Sequence, residues 1–177
     1  LNLYAQQSIA LLENEDTSVN LEAIGVADEV TKLNVTKVDN QGNYLTGAHL
    51  QILEKETGKV IDEWTSTKES HFINGLEEDK TYILSETVSP EEYVKSTDIE
   101  FTVSKDKVDQ KVNMKDKQVI ISKSMVGGDE VIGASMQILD EDGNIVDEWI
   151  SEGKEHYASN LEEGHTYTLH ELSLIHI

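Results

Sequence analysis

A lysine stands where the alternation of a short strand calls for an apolar side chain. In Leu33-Asn34-Val35-Thr36-Lys37, successive side chains of an extended segment point to opposite faces, so Leu33, Val35 and Lys37 share one side. The lysine continues the apolar face. A buried ammonium is expensive, so such a lysine needs a partner, a lowered pKa or a covalent fate. The same displacement occurs twice more: Glu86 is in phase with Tyr82 and Leu84, and Asp116 with Val112 and Met114. One lysine and two acids are expected to meet in one core.

Three such groups have a chemistry open to them. An amine attacks a carboxyl carbon only when it is deprotonated, and a carboxyl accepts attack only when it is protonated or polarised. Burial moves both toward the reactive form, and contact adds an effective molarity on the order of 10⁵ M or more. A second acid can polarise the acceptor oxygen and relay protons. In this reading Lys37 is the nucleophile, Asp116 the acceptor and Glu86 the proton shuttle, and the product is a side-chain amide. Two plainer readings use the same residues. Lys37 could be an edge-strand lysine that discourages aggregation, or it could form a buried ion pair with Glu86 or Asp116.

An internal repeat organises the chain. Lys37 corresponds to Lys123 and Gly47-Ala48 to Gly133-Ala134; after a one-residue deletion, Val60-Ile61-Asp62-Glu63-Trp64 matches Ile145-Val146-Asp147-Glu148-Trp149. His71, Leu76-Glu77-Glu78 and Thr81-Tyr82 recur as His156, Leu161-Glu162-Glu163 and Thr166-Tyr167, and Glu86 as Glu171. The expected organisation is the tail of a preceding module over 1–30, a complete copy over 31–117 and a truncated second copy over 118–171. Asp28 is a candidate closing residue of the earlier module. Residues 172–177, Leu-Ser-Leu-Ile-His-Ile, have no counterpart in the first copy. They resemble a translated transposon end, and are expected to be non-native read-through.

Thr, Val, Ile and Tyr cluster in short runs broken by Gly, Asn and Asp, the pattern of an all-β protein. Strands are expected near 33–38, 48–54, 59–64, 70–74, 80–87, 99–103 and 109–115. Hairpin turns are expected at 40–43 and 56–59. Residues 5–15 are the only helix candidate. With 35 acidic residues against 14 basic, a formal charge of −21 and no arginine, nucleic-acid binding through phosphate neutralisation is disfavoured. The absence of cysteine removes disulfides and thiolate sites. No run is apolar enough to span a membrane, and neither a signal peptide nor a wall-sorting motif is visible.

Several features have ordinary explanations. Asp140-Glu141-Asp142-Gly143-Asn144 lacks the ligand spacing of an EF-hand and reads as a hairpin turn. His71 and His156 lack nearby co-ligands and read as strand-surface residues. Trp64 and Trp149 are assigned to core or hairpin packing, with sugar or protein binding as the alternative. The sequon at Asn34 is close to a chance occurrence. No metal and no cofactor are expected.

In their order and spacing, Val35-Thr36-Lys37-Val38-Asp39, Leu45-Thr46-Gly47-Ala48, Glu63-Trp64, Gly75-Leu76, Thr81-Tyr82, Ser85 to Pro90 with Tyr93, and Val112 to Asp116 resemble the collagen-adhesin B-type, SpaA-like pilin domains of Gram-positive surface proteins. The resemblance covers 31–117 and the first part of the second copy. It implies a Greek-key β-sandwich of inverse immunoglobulin, prealbumin-like type. It also implies a self-formed isopeptide bond, whose roles carry onto Lys37, Asp116 and Glu86, and onto Lys123 and Glu171. Copy one departs from the family's commoner acceptor by using Asp, and copy two lacks its acceptor strand. The implied role is an extracellular, wall-attached stalk module whose partners are neighbouring modules, with host matrix a further candidate partner. A binding module for matrix protein or glycan, and an accessory domain of a secreted hydrolase, are the alternatives. Chemistry confined to one internal turnover does not make the chain an enzyme.

Overall fold

The computed structural model describes residues 32–104, 109–125 and 127–174. The helix candidate at 5–15, the module tail at 1–30 with Asp28, and residues 175–177 lie outside the described residues.

The described chain is built of strands. Over 31–117 they are β1 (Lys32–Val38), β2 (His49–Glu54), β3 (Val60–Thr65), β4 (His71–Asn74), β5 (Thr81–Val88), β6 (Ile99–Thr102) and β7 (Asp109–Lys115). Each lies within two residues of its expected position. They form two sheets, ordered β4-β1-β7 and β3-β2-β5-β6. Within the first, β1 pairs antiparallel with β4 but parallel with β7. The opening and closing strands of this region therefore lie side by side, pointing the same way.

Alternation decides which side chains lie between the sheets. Leu33 and Val35 from β1, Leu50 and Ile52 from β2, Ile73 from β4, Tyr82 and Leu84 from β5, and Met114 from β7 form one buried cluster. Along β5 Thr81, Ile83 and Ser85 are part-buried, whereas Tyr82, Leu84 and Glu86 are buried. Leu84 has no exposed surface, so its truncation removes apolar contact and leaves a cavity. Leu84→Ala is expected to destabilise the fold by ~2–5 kcal/mol, read as a lower urea midpoint with an unchanged slope.

The hairpin turns are closed by acids. After β1, Asp39 Oδ1 accepts the amides of Gln41 (2.9 Å) and Asn43 (2.8 Å), and Oδ2 accepts Asn43 Nδ2 (2.9 Å). The hydrogen bonds to Asn43 hold the Asp39 carboxyl below its ordinary pKa. Gly42 takes the left-handed φ of +89° that this turn requires. Asp140 repeats the arrangement with Asp142 and Asn144, and Gly143 has φ +83°. Its carboxylate is occupied by the turn's own donors.

Residues 118–174 contribute β8 (Ile120–Ile121), β9 (Ile132–Leu139), β10 (Ile145–Glu152), β11 (His156–Tyr157) and β12 (Thr168–Leu174). They form a β10-β9-β12 sheet and a β11-β8 pair. Pairings seen earlier in the chain recur here. Leu50 faces Trp64 and Glu86, and Met136 faces Trp149 and Glu171. β12 continues through Leu172 to Leu174. No helix among the described residues is long and apolar enough to cross a membrane.

Candidate functional site: a buried lysine between two acids

The three residues that break the apolar alternation converge. Lys37 comes from the end of β1, and Asp116 follows the end of β7 on the adjacent parallel strand. Because Lys37 lies level with Met114, Asp116 is two residues further along and on the same face. Glu86 comes from β5 in the opposing sheet. The cluster therefore spans the sandwich.

Lys37 Nζ is in direct contact with Asp116 Oδ1 and lies 2.9 Å from Glu86 Oε1. Lys37 is 3% exposed, and Glu86 and Asp116 are each 1% exposed. An edge-strand surface lysine is thereby excluded as an account of Lys37. Asp116 Oδ2 is buried without a hydrogen-bond partner among the described residues, whereas Glu86 Oε1 faces Lys37 Nζ. The acceptor acid thus keeps one oxygen without a partner in a site closed to bulk solvent.

Burial raises the Glu86 pKa from 4.5 to about 7, against the opposing charge and hydrogen bond of Lys37 and the amide of Ser96. An acid poised there both donates and accepts a proton near neutral pH. The shift carries a sign for stability. A raised folded-state pKa means that the folded chain holds a proton the unfolded chain has released, so the stabilisation is complete below about 4.5 and is lost as pH rises through about 7. Lys37→Met prevents any crosslink and removes the group that lowers this pKa. Its urea midpoint is expected to fall as pH rises above about 4.5, and to go on falling past about 7. The fall should be smaller in Lys37→Met/Glu86→Leu, which lacks the Glu86 carboxyl.

The residue not anticipated from the sequence is Ser96. It is buried, its amide donates to Glu86 Oε2 at 2.8 Å, and its hydroxyl lies 2.7 Å from the Lys115 carbonyl and contacts Asp116 Oδ1. It lies outside the named strands, after Pro90, where no periodicity singles it out.

The counterpart pair is placed differently. Lys123 Nζ lies 2.6 Å from Glu171 Oε2, and the two side chains are 33% and 37% exposed. They meet at a surface that solvent reaches. The tryptophans are occupied: Trp64 stacks on His71 with ring centroids 4.2 Å apart, and Trp149 on His156 at 3.9 Å. Each histidine Nε2 lies 2.8 Å from an aspartate, Asp62 or Asp147. His71 and His156 therefore serve these stacks.

A β-sandwich whose first and last strands are parallel neighbours, carrying a buried lysine between two acids, is the class of domain defined here. Residues 31–118 match the family described as SpaA, a prealbumin-like fold domain. No curated protein matches the chain in sequence. Among solved structures, it is similar to the Bacillus anthracis TIE protein, with 22% identity over 79% of this chain and 26% of that one, and a TM-score of 0.41. It is also similar to a streptococcal ancillary pilin, with 17% identity over 84% of this chain and 55% of that one, and a TM-score of 0.48. A third is the shaft pilin SpaA of Lactobacillus rhamnosus GG, with 15% identity over 66% and 62% of the two chains and a TM-score of 0.42. The chain spans about a quarter of the first protein and about half of the second.

Proposed function

We propose that residues 31–117 form a load-bearing module of a bacterial surface protein, of the pilin or adhesin-stalk type, in which Lys37 and Asp116 condense into an isopeptide bond with Glu86 as proton shuttle. The observation that carries this reading is the contact of Lys37 Nζ with Asp116 Oδ1 beside Glu86 in a site from which water is excluded. In water a lysine and an aspartate exchange a proton and remain an ion pair. In this site a proton placed on the acceptor leaves a neutral amine facing a carboxylic acid.

The neutral Lys37 amine attacks Asp116 Cγ. Glu86 takes the proton released from nitrogen and returns it to the departing hydroxyl. One N–C bond forms, one C–O bond breaks and one water leaves, with no net change in protons. The bond closes a loop between positions 79 apart. By the loop-entropy relation developed for disulfides this contributes about 4–5 kcal/mol. The reaction turns over once, so the module is not an enzyme. Tandem modules over 31–117 and 118–171, an extracellular wall-attached location and neighbouring modules as partners all belong to this reading. Its test is the intact mass of the purified chain, with a branched Lys37–Asp116 peptide in the digest. A chain at full mass with two linear peptides would sink it.

A further inference from the structure

Ser96 lies on a short strap, residues 93–97, that has two faces. Outward, Val94 packs with Ile138, Ala158 and Leu161 of the following segment. The Lys95 amide donates to the Leu161 carbonyl at 2.8 Å, and the Glu163 amide donates to the Lys95 carbonyl at 2.9 Å. Ion pairs Lys95–Glu162 (3.2 Å) and Lys117–Glu163 (2.6 Å) flank this bridge. The Val94 amide also donates to the Lys117 carbonyl at 2.8 Å, one residue beyond Asp116. Inward, Ser96 reaches the buried cluster, touching both acids at once.

Its hydroxyl has one proton and two oxygen neighbours. The Lys115 carbonyl can only accept. With the proton given there, the Ser96 oxygen presents a lone pair to Asp116 Oδ1, where it accepts from that atom once the acid is protonated. A protonated carboxyl is the form that the amine attacks. Meanwhile the Ser96 amide binds Glu86 Oε2, leaving Oε1 toward Lys37.

We propose that Ser96 is a positioning residue for the condensation: its amide aims Glu86 and its hydroxyl holds Asp116 in the reactive form, on a strap clamped by residues 158–163. The inference rests on the isopeptide reading above. Its test is the crosslinking rate of the full chain, made by cell-free synthesis, quenched in denaturant at intervals and weighed, over a series of pH values. Ser96→Ala should slow the loss of water about tenfold, the factor set by about one hydrogen bond. It should also displace the pH–rate profile to lower pH, since the acid must then draw its proton from more acidic solution. Ser96→Thr keeps the hydroxyl and should recover the wild-type profile and a rate within about threefold. A Ser96→Ala chain with wild-type rate and profile would overturn the proposal. So would a slowed Ser96→Ala chain that Ser96→Thr fails to rescue, because the hydroxyl would then serve packing alone. A wild-type chain that never loses water would instead remove the isopeptide reading on which the proposal stands.

Discussion

The purified chain is expected to weigh one water less than its sequence, and Lys37→Ala, Asp116→Ala and Glu86→Ala are each expected to restore the full mass. Lys37 and Asp116 supply the atoms that join. Glu86 supplies none, so its requirement separates condensation from simple proximity. The amine must shed a proton and the hydroxyl must gain one inside a site closed to water, and among the described residues the only other ionisable group in contact with Lys37 is Glu86. A further variant sharpens the test. Asp116→Asn replaces the departing water by ammonia while leaving the same amide behind. The mature wild type and the mature Asp116→Asn chain should therefore converge on one mass from different starting masses. If the wild type remains at full mass while the three groups stay buried together, the site is a buried ion-pair network instead. Breaking such a network by removing one partner typically costs ~3–5 kcal/mol, and none of the variants would then change mass relative to its own sequence.

The second large effect is mechanical. Thr31→Cys and Gln118→Cys give unique attachment points in a chain without cysteine. Force applied there enters β1 at its start and leaves just after β7. With the bond in place, it passes along β1 to Lys37 and crosses to Asp116, bypassing the 79-residue separation between them. No unfolding step attributable to this segment is expected. Glu86→Ala leaves the path open, and its rupture should release about 260–290 Å of chain, at roughly 3.3–3.6 Å per residue less the folded separation of the two ends. An unfolding step of that length in the wild-type chain would refute the load-bearing role. The parallel pairing of β1 and β7 gives this geometry its meaning, because their outer ends face opposite directions of pull. The ladder is sheared along its length while the crosslink lies in the direct path.

Much of this architecture is visible in local patterns. The phase of Lys37 with Leu33 and Val35, of Glu86 with Tyr82 and Leu84, and of Asp116 with Met114 appears unchanged as burial between the sheets. Alternation is a property of a single extended strand and needs no knowledge of its neighbours. The turns are legible for the same reason: Asp39 and Asp140 bind donors two and four residues ahead. The matching pairs Trp64–His71 and Trp149–His156 were marked by the repeat, although their stacking was not.

By itself, then, the order of residues determined which side chains turn inward and where the strands start and stop, because those depend on neighbours within a few positions. Tertiary structure alone decided that β1 and β7 run parallel, that Glu86 approaches from the opposite sheet, and that Ser96 is carried onto both acids by a strap docked on residues 158–163. It also decided that Lys123 and Glu171 meet at an accessible surface while Lys37 and Glu86 are enclosed. The reason is physical: contacts between residues tens of positions apart depend on how whole sheets pack and on which strands cover them, and no local periodicity encodes that cover.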